Sequence, residues 1–168
     1  MDLPVNAPVR DDALASKRSA VPAARLRKLE GRSVVLTGAS SGIGRATALA
    51  MAAEGASLVL AARSQGPLQA LAQECEAWGV RVLAVPTDVT DPEAVKALAG
   101  RALDAFGHVD VWINNVGVGA VGSFEDTPLD AHRRVIEANL LGHVHGAHAI
   151  LGAMRKRGQG TLINMISV

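Results

Sequence analysis

Three glycines, Gly38, Gly42 and Gly44, stand within "TGASSGIG" (37–44), after the apolar run "SVVLT" (33–37) and before a small-residue helical stretch. Such a trio has a definite physical use. One glycine permits a tight turn, one lets the backbone approach a diphosphate, and one lets the helix pack close to the sheet. The N–H groups at the start of that helix then face the phosphates. The spacing points to a dinucleotide, and Ser40 and Ser41 add hydroxyl donors from within the loop. The run "SLVLAARS" (57–64) ends roughly twenty residues further on, where an acid on the ribose 2′-hydroxyl would select NAD. Ala61, Ala62, Arg63 and Ser64 stand there instead. No carboxylate repels a 2′-phosphate, and the Arg63 guanidinium can pair with one. The expected cofactor is NADP(H) rather than NAD(H).

Other residues also invite a chemical reading. His143, His145 and His148 crowd into "HVHGAH" (143–148), but no acid or Cys joins them at ligand spacing, so no metal site is expected. They read as packing residues beside Gly142 and Gly146, at a subunit contact. Cys75 shares a helical face with Leu68, Leu71 and Ala72 and is expected in the core rather than as a reactive thiol. Ser167 is the last polar side chain of the apolar stretch "GTLINMISV" (160–168), at the point where such a strand would feed a loop.

These residues need a scaffold, and the pattern from Gly31 onward supplies one. Strands are expected at 33–37, 57–62, 80–86 and 109–114, with a fifth in the closing stretch. Helices are expected from Ile43 to Glu54, from Pro67 to Trp78, and from the acid-then-Pro start Asp91–Pro92. The third helix carries the stripe Val95, Leu98, Ala102, Leu103 and Phe106, and a long fourth helix is expected from Leu129 to Arg157. Near-continuous apolar strands separated by helices imply a parallel sheet covered on both faces. Right-handed crossovers then give an α/β, Rossmann-like, doubly wound sheet, cut short after the fifth strand. Residues 1–28, mixed in Pro, Ala, Ser and Arg without periodicity, are expected to be a mobile tail before a domain over 29–168.

A length of 168 residues suits one domain with a sizeable core. With two Trp, two Phe and no Tyr, that core must rest on Ala, Val, Leu and Gly. A formal net charge of +1 gives no reason to expect nucleic acid. No apolar run reaches the roughly 18–20 residues of a membrane span, so no membrane partner is expected. Asp2, Asp11 and Asp12 and the lack of an apolar stretch near the start argue against a secretory signal. With a single cysteine, this makes the expected location cytoplasmic.

Five ordered motifs together resemble the short-chain dehydrogenase/reductase family, over about Leu29 to Val168. "TGASSGIG" (37–44) is similar to the family's cofactor loop, which implies cofactor contacts from Thr37 and Ile43 beside those of the glycines and serines. "DVTD" (88–91) resembles its adenine segment, implying Asp88 near the adenine amine and Val89 beside the ring. "NNVG" (114–117) is similar to its Asn-Asn-Ala-Gly motif, implying cofactor contacts from Asn115, Val116 and Gly117. Asn139 in "EANLLG" and Ser167 match the family's catalytic asparagine and serine. The implied function is NADP-dependent hydride transfer between nicotinamide and a small alcohol or carbonyl substrate, with a homodimer or homotetramer at full length. Two departures stand out. Val116 replaces the usual Ala, close to where the resemblance places the cofactor ribose. The family's Tyr-x-x-x-Lys proton donor is absent, because the sequence holds no Tyr. The expectation is therefore a fragment inactive alone; the alternative is a non-catalytic dinucleotide-binding module. Phe124, in "GAVGSFEDTPLD" (119–130), is expected to border the substrate pocket.

Overall fold

Five segments rich in Val, Leu, Ile and Ala form strands, and the amphipathic stretches between them form helices, in a computed structural model that describes residues 27–166. The elements run β1 (Ser33–Thr37), α1 (Gly42–Ala53), β2 (Ser57–Ala62), α2 (Gln65–Glu76) and β3 (Val82–Pro86). They continue with α3 (Pro92–Phe106), β4 (Val111–Asn114), α4 (Leu129–Ile136), a π turn at Glu137–Leu141, α5 (Gly142–Arg157) and β5 (Thr161–Asn164). Every strand pair is parallel, in the order β3-β2-β1-β4-β5. The chain steps outward from β1 to β3 and then returns to place β4 on the other side of β1. That reversal is a topological switch point, and it opens a crevice beyond the strand ends. The expected doubly wound, Rossmann-like sheet is borne out.

Side chains alternate across each strand, so the sheet carries an apolar layer on either face. On one face Val34, Leu36, Leu58 and Leu60 pack against Ala48 and Ala52 of α1 and Leu68, Leu71 and Cys75 of α2. On the other, Val35, Val59, Val85 and Trp112 pack against Val95, Leu98 and Ala102 of α3 and Ile150 and Met154 of α5. Full burial of a residue such as Leu58 or Leu60 stabilises the fold by roughly 1.5–3 kcal/mol. Cys75 belongs to the first layer, and burial pushes its thiol up to about 11, as suits a core residue.

Local signals act where the sequence places them. Asp91 caps α3 by accepting a bond from the Glu93 amide at 2.9 Å, Pro92 follows in the first turn, and Gly107 ends the helix in the left-handed region. Several boundaries differ from expectation by a residue or two. α2 begins at Gln65 because Ser64 is extended, and Pro67 sits in the first turn, where an N–H has no intrahelical acceptor. β3 and β4 begin at Val82 and Val111, two residues later than expected.

Two further features concern the tail and the long helix. Residues 1–26 of the expected tail, like Ser167, lie outside the described residues. Arg27 and Lys28, assigned to that tail, are instead held against the domain. Arg27 donates to the Trp78 carbonyl at 3.1 Å, and the Lys28 amide donates to the Glu54 carboxylate at 3.2 Å. The expected helix from Leu129 to Arg157 is present and contains the π turn, and Gly142 just beyond it fits close against Val89, where a Cβ would lie 2.9 Å from a valine methyl. Gly146, one turn on, is pressed against Asn114 and the Trp112 indole nitrogen.

Candidate functional site

At the C-terminal ends of β1, β2 and β4 lies a cleft of about 640 Å³. Its lining includes Gly38, Ser40, Ser41, Gly42, Ile43, Gly44, Arg63, Asn115, Val116, Gly117 and Asn139, residues expected from sequence to serve one site. Ala62, Ser64, Val118, Met165 and Ile166 complete it.

The glycine turn is built to leave donors free. Gly38 and Gly42 take φ values of 65° and 51°, in the left-handed region that glycine enters without penalty. A Cβ on Gly44 would run into the Gly38 carbonyl oxygen, so the helix start and the strand end approach closely only because no side chain intervenes. Ser41 caps α1 in an extended conformation, with no bond from its side chain to the helix, and the first turn holds no acidic residue. The amides of Gly42, Ile43 and Gly44 therefore lack intrahelical acceptors and sit at the positive end of the helix dipole. This cradle fits a diphosphate.

Thr37 lies beneath the cleft rather than in its lining. Its hydroxyl donates to the Ile113 carbonyl at 3.3 Å and accepts from the Asn115 amide at 3.1 Å, tying the end of β1 to that of β4. Asn115 completes the tie by donating its side-chain amide to the carbonyls of Thr37 and Gly38, each at 3.3 Å. These two residues fix the turn's shape, which sequence reasoning did not distinguish from direct contact.

Asp88 and Val89 also stand outside the lining. Val89 is buried, with its carbonyl bonded to the His145 ring. Asp88 accepts from the Thr90 amide at 3.0 Å and hydroxyl at 2.8 Å. The Thr90 amide, its hydroxyl and the Arg63 charge hold the Asp88 carboxyl below the usual range, outweighing burial. Arg63 is exposed at the cleft's edge, and among the described residues no carboxylate belongs to the lining.

Asn139 sits in the π turn and clamps the loop after β4. Its carbonyl oxygen accepts from the Val118 amide and its amide donates to the Val118 carbonyl, both at 2.8 Å. An extra residue in a helical turn is the usual mark of a functional bulge. Phe124, expected to border the substrate pocket, is 79% exposed outside the lining of this cleft and tilted against His132, with ring centroids 4.7 Å apart. Of the three histidines, half-buried His143 and His145 bond loop carbonyls, while His148 is exposed. Missed from the sequence were Ala62, Val118, Met165 and Ile166, whose apolar type gives no cue, and Ser64, which stands beside the more telling Arg63.

No helix among the described residues is long and apolar enough to cross a membrane. The sequence profile described as "short chain dehydrogenase" matches residues 32–168. An L-rhamnose 1-dehydrogenase (NAD(P)(+)) of Sphingomonas sp. (strain SKA58) is 38% identical over 143 residues, 84% of this chain and 56% of its own length. A crystal structure of the alcohol dehydrogenase of Thermococcus sibiricus, complexed with 5-hydroxy-NADP, matches with a TM-score of 0.75 and 36% identity, over 79% of this chain and 57% of that one. A Burkholderia phymatum short chain dehydrogenase/reductase in complex with NAD matches with a TM-score of 0.77 and 36% identity, over 80% of this chain and 48% of that one. The chain spans about half the length of the curated relatives it matches, from 61% down to 43% across three of them. The glycine cradle, the strand order and these likenesses agree: the chain belongs to the short-chain dehydrogenase/reductase family.

Proposed function

We propose that this chain is the dinucleotide-binding part of an NADP-dependent oxidoreductase acting on a small alcohol or carbonyl compound. One observation carries the reading: free first-turn amides at Gly42–Gly44 share a cleft with Arg63, Ser40, Ser41 and Ser64 and, among the described residues, with no carboxylate. The amides hold the diphosphate, Arg63 pairs with the 2′-phosphate, and the serine hydroxyls add donors. A bound nicotinamide supplies or accepts the hydride. Gly117 and Val116 offer backbone to the ribose side, and Asn139 keeps that loop in place through Val118. Asp88 and Val89, beyond the lining of the cleft, are assigned to the adenine end. Ser167 is assigned the hydrogen bond to the substrate oxygen, which gains negative charge during carbonyl reduction. A serine hydroxyl is no proton source unaided, and the 168 residues hold no Tyr. Alone, they are expected to bind dinucleotide without reducing a carbonyl.

Self-association through the α4–α5 helix is part of the proposal. Ile136, Leu140, Val144 and Leu151 are exposed along it at helical spacing, a stripe suited to burial against a second copy.

Cofactor choice is tested by titration with NADPH and NADH. NADPH is expected to bind more tightly, and Arg63→Asp is expected to shift the NADPH/NADH affinity ratio at least about 10-fold towards NADH. An unchanged ratio removes Arg63 from the 2′-phosphate and the NADP assignment with it. Absence of binding by either cofactor to folded protein defeats the oxidoreductase reading as a whole.

A further inference from the structure

The first turns of α5 carry two histidines whose side chains reach in different directions. The His143 Nε2 lies 3.2 Å from the Val116 carbonyl oxygen, and the His145 Nδ1 lies 2.9 Å from the Val89 carbonyl oxygen. A carbonyl only accepts, so each of these ring nitrogens carries a proton and donates it. The tautomers are thereby fixed: Nε2–H at His143 and Nδ1–H at His145. Val116 and Val89 belong to separate loops, after β4 and after β3; the first lends Val116, Gly117 and Val118 to the cleft lining, and the second carries Asp88 and Val89, assigned above to the adenine end. The helix between them has little freedom to slide. Gly142 is seated against Val89, and Gly146 against Asn114 and Trp112. The His143 main-chain carbonyl also accepts from the Asn114 side chain at 3.1 Å.

We infer that His143 and His145 are a pair of positioning residues, coupling the β3–α3 and β4–α4 loops through the rigid start of α5 and setting the cleft for its dinucleotide. The inference rests on the dinucleotide reading above, and it gives these histidines a use other than subunit packing or metal binding. Neither ring touches the ligand. Each acts on a loop carbonyl, and each bond depends on a donor at one ring position.

That dependence supplies the test, made in the full chain. A glutamine amide nitrogen reaches about as far as Nε2, and an asparagine amide nitrogen about as far as Nδ1. His143→Gln and His145→Asn are expected to hold the NADPH dissociation constant within about 2-fold of wild type. His143→Asn and His145→Gln, equally polar but wrongly placed, are expected to raise it about 5–10-fold, the effect of one lost hydrogen bond. Amide hydrogen exchange locates the change. His145→Gln should quicken exchange at Thr90 and Asp91 alone, and His143→Asn at Val118 alone. Equal affinities for matched and mismatched amides overturn the inference, and so does exchange quickened uniformly through the chain. If folded wild-type protein binds neither NADPH nor NADH, the dinucleotide reading fails first and this one falls with it.

Discussion

Gly44→Val is expected to weaken NADPH binding at least 100-fold and to lower the melting temperature of the protein. The added Cβ meets the Gly38 carbonyl oxygen and lies 2.7 Å from the Asn115 side-chain nitrogen. Neither neighbour yields easily, because Asn115 already donates to the carbonyls of both Thr37 and Gly38. Relief requires the helix start to move off the strand end, which carries the free amides away from the diphosphate. Overpacking of this kind costs roughly 1–3 kcal/mol in stability, and a 100-fold loss of affinity corresponds to about 2.7 kcal/mol. Gly152→Ala is the control. Nothing lies within 4 Å of a Cβ there, the site is exposed on α5, and the substitution is expected to stabilise by roughly 0.5–1 kcal/mol. Isothermal titration and thermal melts read both effects. Near-wild-type affinity in Gly44→Val would remove the turn from the binding site.

The second large effect lies at the opposite end of the sheet, at Asp110. This carboxylate is only 6% exposed. One oxygen accepts from the Ser33 amide and lies 3.2 Å from the His108 Nε2; the other accepts from Arg157 at 2.9 Å and Arg32 at 3.3 Å. Burial raises the carboxyl's pKa, but the Ser33 amide, Arg157 and His108 outweigh it and leave the group at about 2, against an ordinary 3.8. The native state thus favours the ionised form. Its contribution is fully present above pH 3.8 and disappears as the pH falls through about 2. The shift corresponds to roughly 2 kcal/mol. Asp110→Ala leaves a buried amide without its acceptor and Arg157 without its carboxylate, and is expected to cost about 3–5 kcal/mol. Urea unfolding at neutral pH and at pH 2.5 measures both quantities. The wild-type minus Asp110→Ala difference should shrink at the lower pH; a constant difference contradicts the ion-pair account.

Much of this architecture is legible in local patterns. Near-continuous apolar runs mark β1 and β2, and Asp91–Pro92 marks the start of α3, because those signals act between residues close in sequence. The glycine turn is legible for the same reason. What escapes is whatever depends on partners distant along the chain. The π turn is bound up with the pairing of Asn139 and Val118 across 21 positions and with the seat of Gly142 on Val89. Arg27 and Lys28 read as tail because Trp78 and Glu54 are far away in sequence. The ties from Thr37 to β4 likewise join residues more than seventy positions apart. Asp110 did leave a cue, a lone acid between Val109 and Val111 at the start of a buried strand, where an unpaired charge would be prohibitive. The histidines offered several chemistries by type, and only their distances to two carbonyls select one.

The two tryptophans occupy contrasting surroundings: Trp112 is fully buried, whereas Trp78 is 48% exposed. With no Tyr in the chain, ultraviolet emission divides into a blue-shifted interior component and a red-shifted outer one, and an aqueous quencher such as iodide extinguishes only the second. The interior fluorophore donates its indole N–H to Asn114, whose amide in turn reaches both the α5 backbone and Asn164 of β5. Its spectrum is accordingly a built-in gauge of the joint between helix and sheet on which the cleft is mounted.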